Sequence, residues 1–306
     1  MDGRTAALEG FLNVCKPWGW TSHDVVQLVR KLAGTRRVGH AGTLDPAATG
    51  VLPVAVNRAT RLVDFLADRD KGYCADVVLG AATNTDDADG TVLYARNPAP
   101  VTLDAAVAAL SSFLGEIEQV PPQFSAVKLR GRKAYEIARS GAAAALAPRR
   151  VTIKGLAVVG WEPPIVSILV NCSKGTYIRS LARDLGEKLG VGAHLGALVR
   201  CRSGAFDLSD AVGIDDLRLA AEFGYLDRLI YPPDVAVAHL PAVIASDRHS
   251  RDMGLGRPWP AGLNAKRDIV GAGVLARVYS DEGAFLGLAE LVEGSWQPRL
   301  VMGDEH

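Results

Sequence analysis

Alternating apolar and polar positions predict strands in the middle of the chain. In KGYCADVVLG, residues 71–80, four apolar side chains fall on one side of an extended backbone, namely Tyr73, Ala75, Val77 and Leu79. Two later runs, VTIKGLAVVGW and PPIVSILVNCS, are rich in branched apolar residues and predict two consecutive strands. After KGYCADVVLG, the stretch TNTDDADG, residues 83–90, has the composition of a turn.

Apolar positions at helical spacing predict helices around these strands. The first is expected to begin with Ser22 as its N-cap and to end at Gly34, with an apolar face of Val25, Val29 and Leu32. The stretch that follows, residues 36–62, is therefore predicted as a loop. A helix that stops at Gly115 is predicted from LDAAVAALSSFLG.

A further helix is predicted from TYIRSLARDLGEKLG. Its apolar stripe consists of Ile178, Leu181, Leu185 and Leu189. Arg179 and Arg183 lie on a different face, where an arginine is ordinarily a solvated charge. The stripe itself predicts packing against a core and carries no function.

The chain divides near YPPD, residues 231–234. The segment after it, GAGVLARVYSDEGAFLGLAELVEG, predicts short strands around an Asp-Glu-Gly turn. Mixed strands and helices followed by such a tail predict an α+β fold, with one domain over residues 1–235 and a small β-rich domain over residues 240–306.

Composition favours a folded protein without an overall nucleic-acid signature. The 306 residues are 48% hydrophobic and 22% charged, and the formal net charge is zero. The charge is uneven, because residues 120–150 contain seven basic residues and a single acid, Glu136. A neutral protein can therefore still present a basic face to an anionic partner.

Cysteine and histidine spacing predicts neither disulfides nor a metal site. The four cysteines are far apart, and we expect reduced core thiols at Cys15, Cys74, Cys172 and Cys201. No HExxH or paired Cys/His pattern occurs, so no metal is expected. The sequence has no signal-like start and no run of 18 apolar residues, and we expect a cytoplasmic protein without a membrane partner.

Asp45 is a candidate functional residue in the first third of the chain. It lies in RRVGHAGTLDPAATGVLPV, between a glycine-containing approach and a proline. An aspartate before proline is most often a turn residue, since its carboxylate bonds nearby backbone amides. A phosphate-binding loop is disfavoured, because neither GxxxxGK[ST] nor GxGxxG is present.

Five segments in order resemble the TruB-type tRNA pseudouridine synthases. The most specific is the GHAGTLDP block around Asp45. The segments span Lys16–Ser22, Arg36–Val54, Lys71–Gly90, Gln119–Gly141 and Cys172–Arg200. The C-terminal stretch, through YSDEGAFLGLAE and PRLVM, resembles a PUA domain, a small RNA-binding fold. The resemblance implies a pseudouridine synthase fold, with a mixed, mainly antiparallel central sheet flanked by helices and loops.

The resemblance also implies catalytic roles. Asp45 resembles the nucleophile of these enzymes. Tyr73 resembles the tyrosine that stacks on the target base and is a candidate for proton transfer, and Arg179 resembles the arginine that pairs with the aspartate. We expect that arginine to lower the pKa of the carboxyl group and to hold it in place. No cofactor is implied, because the isomerisation adds and removes no atoms overall.

Substrate-binding roles follow from the same resemblance. Leu198 resembles the apolar residue near the uracil and His40 the histidine near the flipped nucleotide, while Lys16 and Lys71 resemble lysines close to the site. Arg36 and Arg37 lie where side chains could hold phosphates. A basic insertion at about residues 120–150 is expected to close over the RNA through Arg130, Arg132 and Lys133.

The expected reaction is conversion of uridine 55 in the T-loop of tRNA to pseudouridine after the base is flipped, with no obligate protein partner. A tRNA-binding folding chaperone that uses the same groove is the alternative from another class. The presence of Asp45, Tyr73 and Arg179 favours chemistry over binding alone. A nucleotide-binding enzyme is disfavoured by the missing phosphate motifs.

Overall fold

The structure is a computed structural model of the chain, and it describes residues 8–125, 127–129, 131–139, 142, 145–261 and 273–303. Its helices are α1 (Ser22–Leu32), α2 (Val63–Ala67), α3 (Leu103–Ser111), α4 (Ala134–Arg139), α5 (Ile178–Lys188), α6 (Ile214–Glu222) and α7 (Asp247–Gly254). Short 3-10 helices span Asn57–Leu62, Leu208–Asp210, Leu226–Leu229 and Pro233–Val237.

Most strands belong to two sheets. Those before residue 235 are β1 (Gly10–Lys16), β2 (Val38–His40), β3 (Ala48–Val56), β4 (Lys71–Leu79), β5 (Ala81–Thr83), β6 (Val92–Ala95), β7 (Gly115–Gln119), β8 (Lys128–Leu129), β9 (Arg132–Lys133), β10 (Arg149–Glu162), β11 (Ile165–Cys172), β12 (Ala193–Ser203), β13 (Phe206–Asp207) and β14 (Ile230–Tyr231). Those after it are β15 (Ala242–Ala245), β16 (Trp259–Pro260), β17 (Leu275–Ser280), β18 (Phe285–Val292) and β19 (Ser295–Val301).

The first sheet is mixed and mainly antiparallel. Its order is β14-β1-β3-β12-β4-β11-β10-β7, with β2 paired to β3 and β13 to β12. The β3–β12 pair is parallel, and the other pairs of this sheet are antiparallel. This arrangement, together with the helices that pack on it, confirms the predicted α+β class.

The parallel β3–β12 pair depends on Gly50. This residue pairs with Arg200 and has φ of 99°, in the region that side chains other than glycine rarely adopt. A Cβ atom at Gly50 would overlap the carbonyl oxygen of Arg200. Glycine therefore permits the close approach that brings Arg200 beside the loop that carries Asp45.

Two predictions about the first part of the chain are wrong. The N-cap of α1 is Thr21, whose side chain and that of Asp24 form a capping box, whereas Ser22 is the first helical residue. The predicted loop over residues 36–62 contains β2, β3 and a 3-10 helix, and only residues 41–47 connect β2 to β3. The run Val51–Val56 is completely buried, and such a central strand lacks the alternation that marks a half-exposed one.

The apolar patterns correctly identify much of the core. The helix stripe of Ile178, Leu181 and Leu185 packs with the apolar face of β4 in one cluster. Val25 and Val29 of α1 pack in a second cluster beneath β1 and β3. The cysteines are free, but only Cys172 is fully buried, whereas Cys15, Cys74 and Cys201 are half-buried, so the prediction of core thiols holds for one of the four.

The second sheet, ordered β15-β17-β18-β19-β16, follows the predicted boundary. It packs on the first part of the chain, since Leu288, Leu300 and Met302 share an apolar cluster with Phe11. Arg61 also donates from Nη1 to the carbonyl of Val301 at 2.6 Å. The division into domains at 235 and 240 stays a prediction. Within the described ranges, the helices are too short or too polar to cross a membrane.

Candidate active site

The loop of residues 41–47 is held by side chains that bond to its backbone. Ser22 Oγ accepts from Leu44 N at 2.9 Å and donates to Leu44 O at 3.1 Å, which explains why Ser22 does not cap α1. Lys16 Nζ donates to Pro46 O at 3.3 Å. Arg200 Nη2 donates to Gly42 O at 3.0 Å. These contacts fix the position of Asp45, which the loop presents to a cavity.

The cavity has a volume of about 670 Å³, within the range of small-ligand sites. It is formed where the loop of residues 41–47 meets β4, β12, the turn of residues 84–90 and the start of α5. Its lining includes Asp45, Tyr73, Asp87, Phe124, Tyr177, Arg179, Leu198 and Arg200. The three predicted catalytic residues and Leu198 therefore share one cavity.

Arg179 lies at the centre of a group of acceptors. Its Nε is 3.0 Å from Asp45 Oδ2, and its Nη1 is 3.5 Å from Asp87 Oδ2. Nη1 also donates to Thr85 O at 3.1 Å, and Nη2 donates to Phe124 O at 3.0 Å. The Arg179 side chain is only 6% exposed, so it is a buried cation and not the solvated charge that a helix position off the apolar stripe ordinarily indicates.

Asp45 is half-buried, and the surrounding protein removes part of the hydration of its carboxylate. Loss of hydration raises the pKa of its carboxyl group, Arg179 lowers it, and repulsion from Asp87 raises it further. Arg179 thus lowers the pKa of Asp45 as expected, but the net shift is upward. The cause is that desolvation of the carboxylate outweighs the attraction of one arginine that also serves Asp87.

Tyr73 is presented by β4 directly opposite Arg200 on β12. The tyrosine is 8% exposed and Arg200 is 1% exposed. Burial raises the pKa of the Tyr73 hydroxyl, and the neighbouring Arg200 guanidinium lowers it by a smaller amount. The hydroxyl is therefore neutral at physiological pH, with a fixed cation beside it.

The two lysines are buried and bonded to backbone carbonyls. Lys16 Nζ contacts Trp20 O at 2.6 Å, and Lys71 Nζ contacts Ala67 O at 2.8 Å. Burial lowers the pKa of each amine to about 8. Lys71 lines the cavity, whereas Lys16 does not, so its contact with the loop is its connection to the site.

Among the other predicted binding residues, His40, Arg36, Arg37 and Arg132 lie outside the cavity lining. His40 Nδ1 is buried without a hydrogen-bond partner, and burial lowers the pKa of its ring. Arg36 and Arg37 are exposed, and Arg36 lines a separate cavity of about 580 Å³ at the end of α1. Arg132 is exposed. Arg130 and the side chain of Lys133 lie outside the described part of the structure.

Sequence reasoning missed Arg200, Asp87 and Ser22 as members of the site. Asp87 lay in the segment predicted as a turn, and Arg200 is two residues after Leu198, but neither position has a local pattern that indicates its partner. No group of three or more His, Cys, Asp or Glu side chains that could hold a metal ion occurs among the residues that the structure describes.

Family models and curated relatives match most of the chain. Residues 30–178 match the family described as TruB family pseudouridylate synthase (N terminal domain), and residues 179–238 match the tRNA pseudouridylate synthase B C-terminal domain. A tRNA pseudouridine synthase B from Gloeobacter violaceus is 44% identical over 300 residues, which cover 96% of this chain and 99% of that protein. The enzyme of the same name from Synechocystis is 48% identical over 238 residues, or 76% and 79% of the two chains.

Solved structures give the same result for the fold. A Cbf5-Nop10-Gar1 complex contains a chain with a TM-score of 0.74 and 29% identity, over 96% of this chain and 85% of that chain. An H/ACA ribonucleoprotein bound to a substrate RNA containing 2′-deoxyuridine gives a TM-score of 0.74 at 26% identity, over 97% and 86%. On the matched domains, the near full-length relatives and the shared fold, the chain belongs to the TruB family of pseudouridine synthases.

Proposed function

We propose that the protein converts uridine 55 in the T-loop of tRNA to pseudouridine, with Asp45 as the nucleophile. The observation that carries the proposal is the contact of Asp45 Oδ2 with the buried Arg179 Nε, 3.0 Å apart, in a cavity that Tyr73 also lines. The relatives named tRNA pseudouridine synthase B support tRNA as the substrate. The T-loop position is what the resemblance around the GHAGTLDP block implies.

The reaction needs no redox partner because it is an isomerisation. The N1–C1′ bond of the uridine breaks, the uracil turns, and a C5–C1′ bond forms. The hydrogen on C5 leaves as a proton, and N1 gains a proton. Asp45 and the buried polar groups around it supply a carboxylate, a tyrosine hydroxyl and two guanidinium groups for these steps.

Asp45 can act by three routes: addition to C6 of the ring, attack on C1′ of the ribose, or assistance to loss of uracil with abstraction of a 2′ proton. Each route requires the ionised carboxylate. Since burial raises the pKa of Asp45, the reactive form is lost as the pH falls, and Arg179 extends its range toward lower pH. The contacts of Arg179 with Thr85 O and Phe124 O hold the guanidinium in place.

Tyr73 provides the surface on which a flipped base can stack. Flipping a nucleotide costs a few kcal/mol, and stacking on an aromatic ring returns about 1–3 kcal/mol per base. Tyr73 and Leu198 both line the cavity, so a uracil bound there can contact the aromatic ring of one and the aliphatic side chain of the other. The neutral Tyr73 hydroxyl is then available as a proton donor close to Asp45 and Arg200.

Exposed arginines outside the cavity supply the rest of the RNA affinity in this proposal. Arg36, Arg37 and Arg132 are exposed on the first part of the chain. On the C-terminal part, which we propose as a PUA-like RNA-binding domain, Arg248, Arg251 and Arg257 are exposed on and after α7. Cations at such positions bind phosphates without base specificity, and their contribution falls with salt.

The direct test is incubation of the pure protein with an unmodified tRNA transcript, followed by chemical mapping of pseudouridine. We expect one modified site in the T-loop and none in a matched transcript with cytidine at position 55. Asp45→Asn should bind the transcript and leave it unmodified, which separates chemistry from chaperone-like binding. Absence of pseudouridine with the wild-type protein, or modification elsewhere, would contradict the proposal.

A further inference from the structure

The turn of residues 84–90 contacts α5 through three consecutive residues. Thr85 O accepts a hydrogen bond from Arg179 Nη1 at 3.1 Å, and Asp87 Oδ2 is 3.5 Å from the same nitrogen. Asp86, between them, accepts from Arg183 Nη1 at 2.8 Å. Arg179 and Arg183 are four residues apart, so they lie one turn apart on the same side of the helix. The turn is thus held at two adjacent points of α5.

Asp86 is a costly residue in this position. It is a carboxylate only 8% exposed, so its charge loses hydration, and its φ of 61° lies in the left-handed region, which aspartate enters more readily than most residues with a side chain. Its backbone carbonyl accepts from Leu195 N of β12 at 3.0 Å. Arg183 is bonded as well to Val120 O at 2.9 Å, which ties the same pair to the segment that leads to Phe124.

The arrangement links Asp86 to the orientation of Arg179. Both acceptors that the turn presents to Arg179 belong to the immediate neighbours of Asp86. Thr85 Oγ1 also donates to Asp87 Oδ1 at 2.6 Å, leaving Asp87 Oδ2 to face the guanidinium. A shift of the turn would therefore move both acceptors together and rotate the arginine whose Nε faces Asp45.

We propose that Asp86 and Arg183 are positioning residues for catalysis: their ion pair holds the turn of residues 84–90 against α5, so that Thr85 and Asp87 keep Arg179 directed at Asp45. This inference rests on the proposed function, because it assigns the pair to the reaction at Asp45. The pair does not touch the substrate in this mechanism. The pair affects the reaction rate through Arg179, so its contribution to catalysis can be measured separately from its contribution to folding.

The electrostatics of the pair agree with this role at neutral pH. Burial raises the pKa of Asp86 to about 6, Arg183 and Arg179 lower it, and Asp184 raises it. The carboxylate is thus ionised and paired at neutral pH, and the pair is lost as the pH falls through about 6. Asp184 also contacts Arg183, with Oδ1 2.8 Å from Nη2, and its Oδ1 accepts from Arg183 Nε as well.

The test is a double-mutant cycle on single-turnover pseudouridine formation in a T-arm hairpin at saturating enzyme. Asp86→Asn should slow the wild-type reaction by about 10- to 100-fold, the scale expected for a small misplacement of a catalytic group. In an Arg179→Lys background the same change should cost less than about threefold, because one ammonium nitrogen cannot face Asp45 and both turn acceptors together. Hairpin affinity should change by less than about twofold in each variant.

Two controls separate positioning from folding. Asp86→Gly removes the carboxylate, and glycine adopts the left-handed backbone conformation without strain. This variant should therefore lose activity to the same extent as Asp86→Asn, even if its unfolding temperature equals that of the wild type. Asp184→Asn should keep wild-type rates. Equal losses from Asp86→Asn in both backgrounds, or wild-type rates for the glycine variant, would overturn the inference. A wild-type protein that forms no pseudouridine would refute the proposed function instead.

Discussion

Arg179 offers the sharpest perturbation of the site. Its guanidinium contacts two carboxylates and two backbone carbonyls while its side chain is 6% exposed. Removing one member of a buried pair costs about 3–5 kcal/mol of folding stability. The Asp45 side chain is 44% exposed, so solvent screens its share, and we expect Arg179→Ala to lower the free energy of unfolding by about 3 kcal/mol.

The effect on the rate comes from loss of orientation. A displacement of about 1 Å in a reacting group can cost about 10²-fold. Arg179→Ala should therefore slow single-turnover chemistry by at least about 10²-fold. Arg179→Lys keeps the charge but cannot reach Asp45, Thr85 O and Phe124 O at once, so it should recover only part of that loss.

The pH dependence gives an independent measurement of the same contact. Arg179 lowers the pKa of Asp45 and Asp87 raises it. Removing Arg179 therefore raises that pKa, and the acidic limb of the single-turnover profile should move to higher pH in Arg179→Ala. Asp87→Asn removes the repulsion and should move the limb to lower pH. Near wild-type rates with an unshifted acidic limb in Arg179→Ala would refute the pairing.

Four further outcomes are expected. Asp45→Asn should abolish turnover while tRNA affinity stays within several-fold. Because folding raises the pKa of Asp45, the ionised carboxylate destabilises the folded protein above that pKa, so the Asn variant should have a higher unfolding temperature at neutral pH and an unchanged one at low pH. An equal change of unfolding temperature at both pH values would contradict this sign. Tyr73→Phe should keep hairpin affinity but lose about 10²–10⁴-fold in single-turnover rate if the hydroxyl transfers a proton, whereas equal rates would restrict Tyr73 to stacking. Gly50→Ala should destabilise the protein by at least about 1–2 kcal/mol in denaturant unfolding, while Gly175→Ala, where the added methyl group meets no neighbour, should cost only the backbone strain. Changing Arg248, Arg251 and Arg257 to Gln should weaken tRNA binding and flatten its salt dependence without altering the rate at saturating enzyme; an unchanged salt slope would exclude the C-terminal part from phosphate contact.

Sequence periodicity predicted the elements whose two faces differ. β4 alternates buried and half-buried residues, and α5 has one apolar stripe, so both were located correctly. β3 was missed because it is buried along almost its whole length and contains Gly50 and Pro53. β12 was missed for another reason: register shifts at Leu195/Ala197 and at Arg200/Arg202 interrupt the two-residue period.

The site was predictable only as far as family motifs reach. Asp45, Tyr73 and Arg179 were identified by resemblance, and the structure brings them into one cavity. The partners that fix them lie far away in the chain: Arg200 bonds to Gly42 over a separation of 158 residues, and Ser22 bonds to Leu44 over 22. No local pattern encodes such contacts, since they depend on how the strands are ordered in the sheet.

The place of β12 in the sheet has a consequence for the kinetics of folding. β12 lies between β3 and β4, and in the described sheet it joins β14-β1-β3 to β4-β11-β10-β7. Asp45 lies in the loop that leads into β3, a strand of the first group, and Tyr73 belongs to the second, so the two are brought together only when residues 193–203 insert. Closing such long loops is slow. A nascent chain that has not yet released β12 from the ribosome therefore has no assembled catalytic cavity, and in the finished protein the amides of β12 should be among the slowest to exchange with solvent.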